Sequence, residues 1–268
     1  MDGILAPSAY EEAILSTKAM TADVPTISES GGVRYLHFGT EWVQGAMWVR
    51  RPTHLVLEYT AQMMSWLLFL APPAAQPVAQ LGLGAGSLAR FCLAHLRNPL
   101  EVVEWNPLVT AACDAYFRLP RPDRLTIEHA DAARWVTEPS RSGRYAALMI
   151  DLYDGQARGP VRGSQEFYAD CRRILSSPGV LTVNLFGAHE SFARNIRNLS
   201  RAFEGRILTL PQIDAGNQIV LAFNGPPLEV PLDRLLSRAE QVEARFGLPA
   251  RRWARSLVGQ SCNGILSV

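Results

Sequence analysis

The sequence predicts an α/β protein built on a doubly wound, mainly parallel sheet. Three observations predict it. Short apolar runs alternate with amphipathic stretches from Val78 to Phe203, the rhythm of strands interleaved with crossover helices. A glycine turn at Gly82, Gly84 and Gly86 joins the first run to a helical stretch. Acidic side chains recur where the runs end, at Glu104, Asp131, Asp151 and Asp154, and ligands of such sheets bind outside the carboxyl ends of the strands.

Taken in order, strands are expected at 78–83, 100–104, 125–129, 145–150 and 180–185, with helices near 87–96, 107–117, 131–136, 164–175 and 190–203. In the first helix Leu88, Phe91, Cys92 and His95 recur at i, i+3, i+4 and i+7, one apolar face. Ser87 suits its N-cap. Arg206–Leu210 and Asn217–Phe223 read as a closing antiparallel pair.

Ahead of this domain, residues 1 to about 30 carry little pattern. Arg34–Phe38 and Ala46–Arg50 suit strands of a small antiparallel sheet. Leu55–Leu70 suits a helix, and Ala71–Pro77 a linker. After Pro226-Pro227, residues 232–257 read as helical and arginine-rich. The expected division is an N-terminal hairpin and helix region (1–72), a nucleoside-binding domain (73–225) and a helical extension (226–268).

The 268 residues, 48% hydrophobic and 19% charged, have the composition of a soluble globular protein. A net charge of +1 gives no global attraction to nucleic acid or lipid, so neither is expected as a partner. Lys18 is the sole lysine; the arginines are scattered, as codon bias rather than phosphate recognition would leave them. Cys92, Cys113, Cys171 and Cys262 lie far apart with no metal-ligand spacing, so reduced thiols, a cytoplasmic setting and no metal are expected. Asp2, Glu11 and Glu12 argue against a signal peptide, and the apolar Met63–Ala71 is too short to span a bilayer.

The glycine turn lets backbone approach a ligand closely and points helix N–H groups at it. Glu104, ending the next strand, sits near the ~20-residue offset at which an acidic group accepts from ribose hydroxyls. The Gly-x-Gly-x-Gly form is similar to that of the S-adenosylmethionine-dependent methyltransferase fold rather than to a dinucleotide site. Asp131, heading Asp-Ala-Ala-Arg-Trp-Val136, suits both an adenine amino group and a helix N-cap, with Ala132 beside it. Asp151 emerges from the apolar Ala146–Ile150, and the turn-rich loop Leu152–Pro160 follows it. His95 reads as a packed core residue, and Arg251, Arg252 and Arg255 as a solvated face.

With these residues in hand, the sequence resembles the polyamine aminopropyltransferases, spermidine synthase and its relatives, from Tyr59 to Phe223. The matching stretches are Leu81-Gly-Leu-Gly-Ala-Gly86, Glu104, Asp131, Asp151-Leu-Tyr-Asp-Gly155, Gly159-Pro160, Glu166-Phe-Tyr168, Pro178-Gly-Val-Leu181 and Gly216-Asn-Gln-Ile219. The resemblance implies transfer of an aminopropyl group from decarboxylated S-adenosylmethionine to an amine. Glu104 would hold the ribose, Asp131 the adenine, and Asp151 with Tyr59 the attacking amine; Asp154 is a further substrate-binding candidate. A homodimer is implied in the same way.

The chain departs from the family pattern at several points. Ala85 stands where the glycine loop usually carries Asp, and Leu55 and Val56 replace an acidic pair. Arg50 replaces a Gln, Leu152 a Ser, and Pro211-Gln-Ile-Asp214 a Pro-x-Tyr-Pro stretch. The carboxylates remaining for a diamine are Asp151, Asp154 and Glu58 or Asp214. Three readings stay open: an aminopropyltransferase-type enzyme with an altered acceptor, a methyltransferase using S-adenosylmethionine itself, and a noncatalytic nucleoside- or partner-binding relative.

Overall fold

Buried apolar strands form the centre of the molecule, because runs such as Tyr145–Ile150 have every side chain out of water and need cover on both faces. The computed structural model describes residues 24–154, 161–187, 189–213 and 216–268. The N-terminal acidic residues, Gly155, Gly159-Pro160 and Asp214 fall outside them.

Three strands, β1 (Thr26–Ser30), β2 (Val33–His37) and β3 (Gly45–Trp48), form an antiparallel sheet in that order. Helix α1 (Glu58–Met63) follows and continues as a 3₁₀ turn over Met64–Leu68. The central sheet then takes β4 (Val78–Leu81), β5 (Leu100–Val103), β6 (Leu125–Glu128), β7 (Tyr145–Ile150), β8 (Leu175–Phe186), β9 (Ile207–Thr209) and β10 (Asn217–Asn224). Its order is β6-β5-β4-β7-β8-β10-β9. The strands from β6 to β8 are parallel, while β10 runs antiparallel between β8 and β9. The predicted doubly wound sheet and its closing antiparallel pair are therefore present.

Helices α2 (Ser87–His95) and α3 (Pro107–Tyr116) cover one face. Helices α4 (Ala132–Thr137), α5 (Gln165–Ile174) and α6 (Phe192–Ala202) cover the other. The core on the α2 face is continuous: Trp66, Phe91 and Val102 share it with Leu235, Trp253 and Met47. It thereby joins the sheet to the N-terminal strands and to α7 (Leu232–Phe246) and α8 (Ala250–Leu257). His95 packs against Phe91 and edge-on to Phe246, as an apolar-face residue should.

Three local expectations are corrected. Thr26–Ser30 is a strand rather than patternless chain, because β2 offers its open edge over five paired residues. The helix expected from Leu55 starts at Glu58. Ser87 is not the N-cap of α2: Gly86, at φ +70°, takes that position, and the Ser87 hydroxyl donates instead to Ala46 O at 2.8 Å. The helical stretch expected over 232–257 is present as two helices, separated at Gly247, in the left-handed region, and Pro249. Glu229–Pro231 (β11) and Ile265–Ser267 (β12) pair beyond it.

Candidate active site

Strand register assembles the site. Leu81 pairs with Val103 and Ile150, and Ile150 with Val183. The next residues, Gly82, Glu104, Asp151 and Asn184, therefore stand at one level across four neighbouring strands. Strands β4 and β7 adjoin where the winding reverses, the point at which such sheets open a crevice. Gly82 is required there. Its φ is +89°, and a Cβ on it would lie 2.1 Å from Asp151 O.

A cavity of about 970 Å³ opens over this row, at the upper end of the range for small-molecule sites. Tyr59, Gly82, Gly84, Glu104, Asp131, Ala132, Asp151 and Asp154 all line it. Gly86 does not; it turns the chain into α2 and faces Arg90, Leu119 and Cys113. The structure thus brings to one cavity every other site candidate that the sequence singled out among the described residues.

Asp151 is the centre of one end. Its Oδ1 accepts from Asn184 Nδ2 at 2.9 Å and its Oδ2 from Tyr59 Oη at 3.2 Å. Asn217 Nδ2 donates to Asn184 Oδ1 at 3.0 Å, which fixes the amide so that its nitrogen faces Asp151. Burial pushes the Asp151 carboxyl above its usual range, while the bonds from Asn184 and Tyr59 pull it back. A carboxylate whose basicity burial raises, and which stays aimed by hydrogen bonds, is suited to accepting a proton. Burial and the Asp151 charge together hold the Tyr59 phenol well above its ordinary value, so it stays a donor.

Glu104 and Asp131 lie toward the other end. Glu104 Oε2 accepts from Leu83 N and Oε1 from Asn106 N, both at 2.9 Å. Its carboxylate therefore ties the glycine loop to the end of β5. Asp131 does cap α4, accepting from Ala133 N at 2.7 Å and more weakly from Arg134 N. Its second oxygen pairs with Arg162, which also lines the cavity. Partial burial alone would raise the Asp131 carboxyl; the Arg162 and backbone bonds overcome it and hold the group below its usual value. Trp105 and Trp42 expose more than half their surface on the cavity wall, an apolar invitation to a flat ring.

The glycine loop is held from behind. Arg90, only 1% exposed, donates to Pro52 O, Ala85 O and Phe117 O. Burial lowers its pKa to about 10, still far above neutrality. Ala85 packs so closely under β3 that a Cβ on Gly45 would lie 2.6 Å from both its Cβ and its N. Gln44 reaches across to Asp154 O at 3.2 Å. Glu58, one of the carboxylates left for a diamine, lines the cavity but pairs with Arg252 at 2.9 Å. Among the described residues no group of three or more His, Cys, Asp or Glu could hold a metal ion, and no helix is long and apolar enough to cross a membrane.

As site residues, Asn184, Gln80, Arg162, Gln44 and Arg90 went unread in the sequence. Two carried a usable signal. Asn184 interrupts the apolar Val180–Phe186, and Gln80 interrupts Val78–Leu81; a buried amide within a strand needs a partner. Arg90 carried none, and only the fold shows the three carbonyls converging on it.

No family model matches the chain. Against curated proteins, it is 37% identical over 224 residues to a polyamine aminopropyltransferase of Chromobacterium violaceum, covering 83% of this chain and 84% of that one. A polyamine aminopropyltransferase of Neisseria meningitidis serogroup A is 35% identical over 240 residues, covering 88% and 90%. Among solved structures, a probable spermidine synthase from Corynebacterium glutamicum superposes with a TM-score of 0.68 at 16% identity, over 86% of this chain and 90% of that one. That likeness concerns the fold; the sequence identities, which span nearly the whole of each partner, decide the kinship. The chain belongs to the polyamine aminopropyltransferase family.

Proposed function

We propose that the protein transfers an aminopropyl group from decarboxylated S-adenosylmethionine to a small-molecule amine. The observation that carries this reading is the single cavity joining Asp151 and Tyr59 at one end to Glu104 and Asp131 at the other. Its volume of about 970 Å³ is enough for a nucleoside and an amine together. Glu104 would accept from the ribose hydroxyls and Asp131 from the adenine amino group. Trp105 would lie against the base, and Ala132 would leave room for it.

At the other end an uncharged amine attacks the methylene attached to the sulfonium. A carbon–nitrogen bond forms, the carbon–sulfur bond breaks, and methylthioadenosine leaves with the bonding electrons. Asp151 orients the amine and takes its surplus proton, offsetting the positive charge that develops on nitrogen. Tyr59 and Asn184 keep the carboxylate aimed, so that little reorganisation is needed at the moment of reaction. Asp154, which lines the same cavity, is suited to a second cationic group of the acceptor.

Ala85 favours a second reading, a methyltransferase using the carboxylated donor, since the glycine loop brings no anion against that carboxylate. Calorimetry with decarboxylated S-adenosylmethionine, S-adenosylmethionine and methylthioadenosine separates the two. Preference for the decarboxylated donor, followed by aminopropylated products from a panel of amines, supports transfer. Preference for the carboxylated donor replaces it with methylation, and binding of none of the three removes both.

A further inference from the structure

Gln80 is a polar residue in the wrong company. It sits in the middle of β4, 1% exposed, between Val102 and Met149 on the neighbouring strands. Its Nε2 donates to Gly82 O at 2.6 Å. That bond settles which end of the amide is which, because only the nitrogen can donate to a carbonyl. The Oε1 atom is left buried with no hydrogen-bond partner among the described residues. Such an oxygen costs free energy unless something donates to it.

A small space adjoins it. Gln80, Leu83, Ala85, Leu88 and Thr60 wall a chamber of about 10 Å³ beneath the glycine loop, close to what one water or one ammonium group occupies. Gln44, Tyr59, Gly84 and Asp151 wall both this chamber and the main cavity. The chamber is thus a side pocket of the reaction end rather than an isolated void. Its hydroxyls already have acceptors: Thr60 donates to Leu57 O, Ser87 to Ala46 O and Tyr59 to Asp151. Its character is that of an acceptor site beside an anion.

We propose that this chamber receives the primary ammonium at the end of the transferred chain, with Gln80 Oε1 accepting one of its N–H bonds and the Asp151 carboxylate balancing its charge. The inference rests on the aminopropyl-transfer reading and deepens it by naming what selects the donor. Small Ala85 leaves the chamber its room, and Gln80 supplies from the strand a polar contact that the glycine loop lacks. A donor that keeps its carboxylate carries the same ammonium but brings an anion up to Asp151.

The test compares wild type, Gln80→Leu and Gln80→Glu by calorimetry with three ligands: decarboxylated S-adenosylmethionine, S-adenosylmethionine and methylthioadenosine, which lacks the chain. Gln80→Leu is expected to weaken the decarboxylated donor about tenfold, the worth of one hydrogen bond to a charged group, and to leave methylthioadenosine unchanged. Gln80→Glu is expected to keep or strengthen donor binding, with methylthioadenosine again reporting an intact fold. Equal loss for both ligands, or no change for either, overturns the proposal and leaves the chamber to a structural water. Should Gln80→Leu fail to fold, a Gln80→Glu protein that loses its preference for the decarboxylated donor overturns it instead. Failure of wild type to bind methylthioadenosine would sink the nucleoside reading itself, a different result from an unaltered Gln80→Leu.

Discussion

Tyr59 Oη donates to Asp151 Oδ2 at 3.2 Å, joining groups 92 positions apart in the chain. The phenol comes from the first turn of α1 and the carboxylate from the carboxyl end of β7. The contact therefore exists only when the N-terminal region is seated on the sheet. It also sets the acidity of the carboxylate, with consequences that can be measured.

Tyr59→Phe removes one of the two bonds that lower the Asp151 carboxyl and leaves the burial that raises it. The carboxyl then moves further up. A base must be ionised to act, so activity is lost as pH falls through its pKa. The acidic limb of the pH–rate profile should shift to higher pH, with the rate on the plateau reduced about tenfold. A limb that stays in place would detach Tyr59 from Asp151.

Asp151→Asn should abolish transfer and leave methylthioadenosine affinity nearly intact. It should also stabilise the ligand-free protein at neutral pH. Because burial raises the carboxyl in the folded state, the native protein holds more protons than the unfolded chain between the two pKa values, and stability falls as pH rises through that interval. Removing the charge should raise the melting temperature by about 2 °C at neutral pH. The gain should disappear below the ordinary carboxylate range, where both states are protonated. Melting curves across that span, with turnover assays alongside, check both halves.

Arg90→Met should orphan the carbonyls of Pro52, Ala85 and Phe117, which the guanidinium now satisfies. The expected cost is about 3 kcal/mol of stability, read by urea unfolding. Methylthioadenosine affinity should fall with it, since Ala85 belongs to the glycine loop.

Gly45→Ala tests the seam between the two sheets. The added methyl would sit 2.6 Å from Ala85 Cβ and N, a distance that forces backbone to move. A loss of roughly 1–3 kcal/mol is expected, and nucleoside affinity should weaken as the glycine loop is displaced. Unchanged affinity would show that the loop holds its shape without β3.

The sheet was legible because its strands are buried on both faces and its turns carry glycine and acidic residues. A run such as Ala146–Ile150 has no period of its own, and its shortness and its flanking turn residues mark it as a strand. Glu104, Asp131 and Asp151 were legible for the same reason, each following such a run. Asn184 and Arg90 were not: one belongs to the site through register with β7, the other through three carbonyls from distant segments. Ser87 misled because its hydroxyl fits a helix cap in any sequence, and only the neighbouring Ala46 carbonyl diverts it. Helix α1 was overextended because its residues are buried by the sheet around them, which apolar periodicity alone cannot distinguish from a longer helix.

Gly82, Glu104, Asp151 and Asn184 keep their common level only while the four strands beneath them keep their lengths. Side chains alternate between faces along a strand, so a single codon inserted into β8 ahead of Asn184 would turn that amide away from Asp151. The same insertion in the connections at the opposite edge would pass harmlessly. Variation in length among functional relatives should therefore gather at the end of the sheet remote from the cavity.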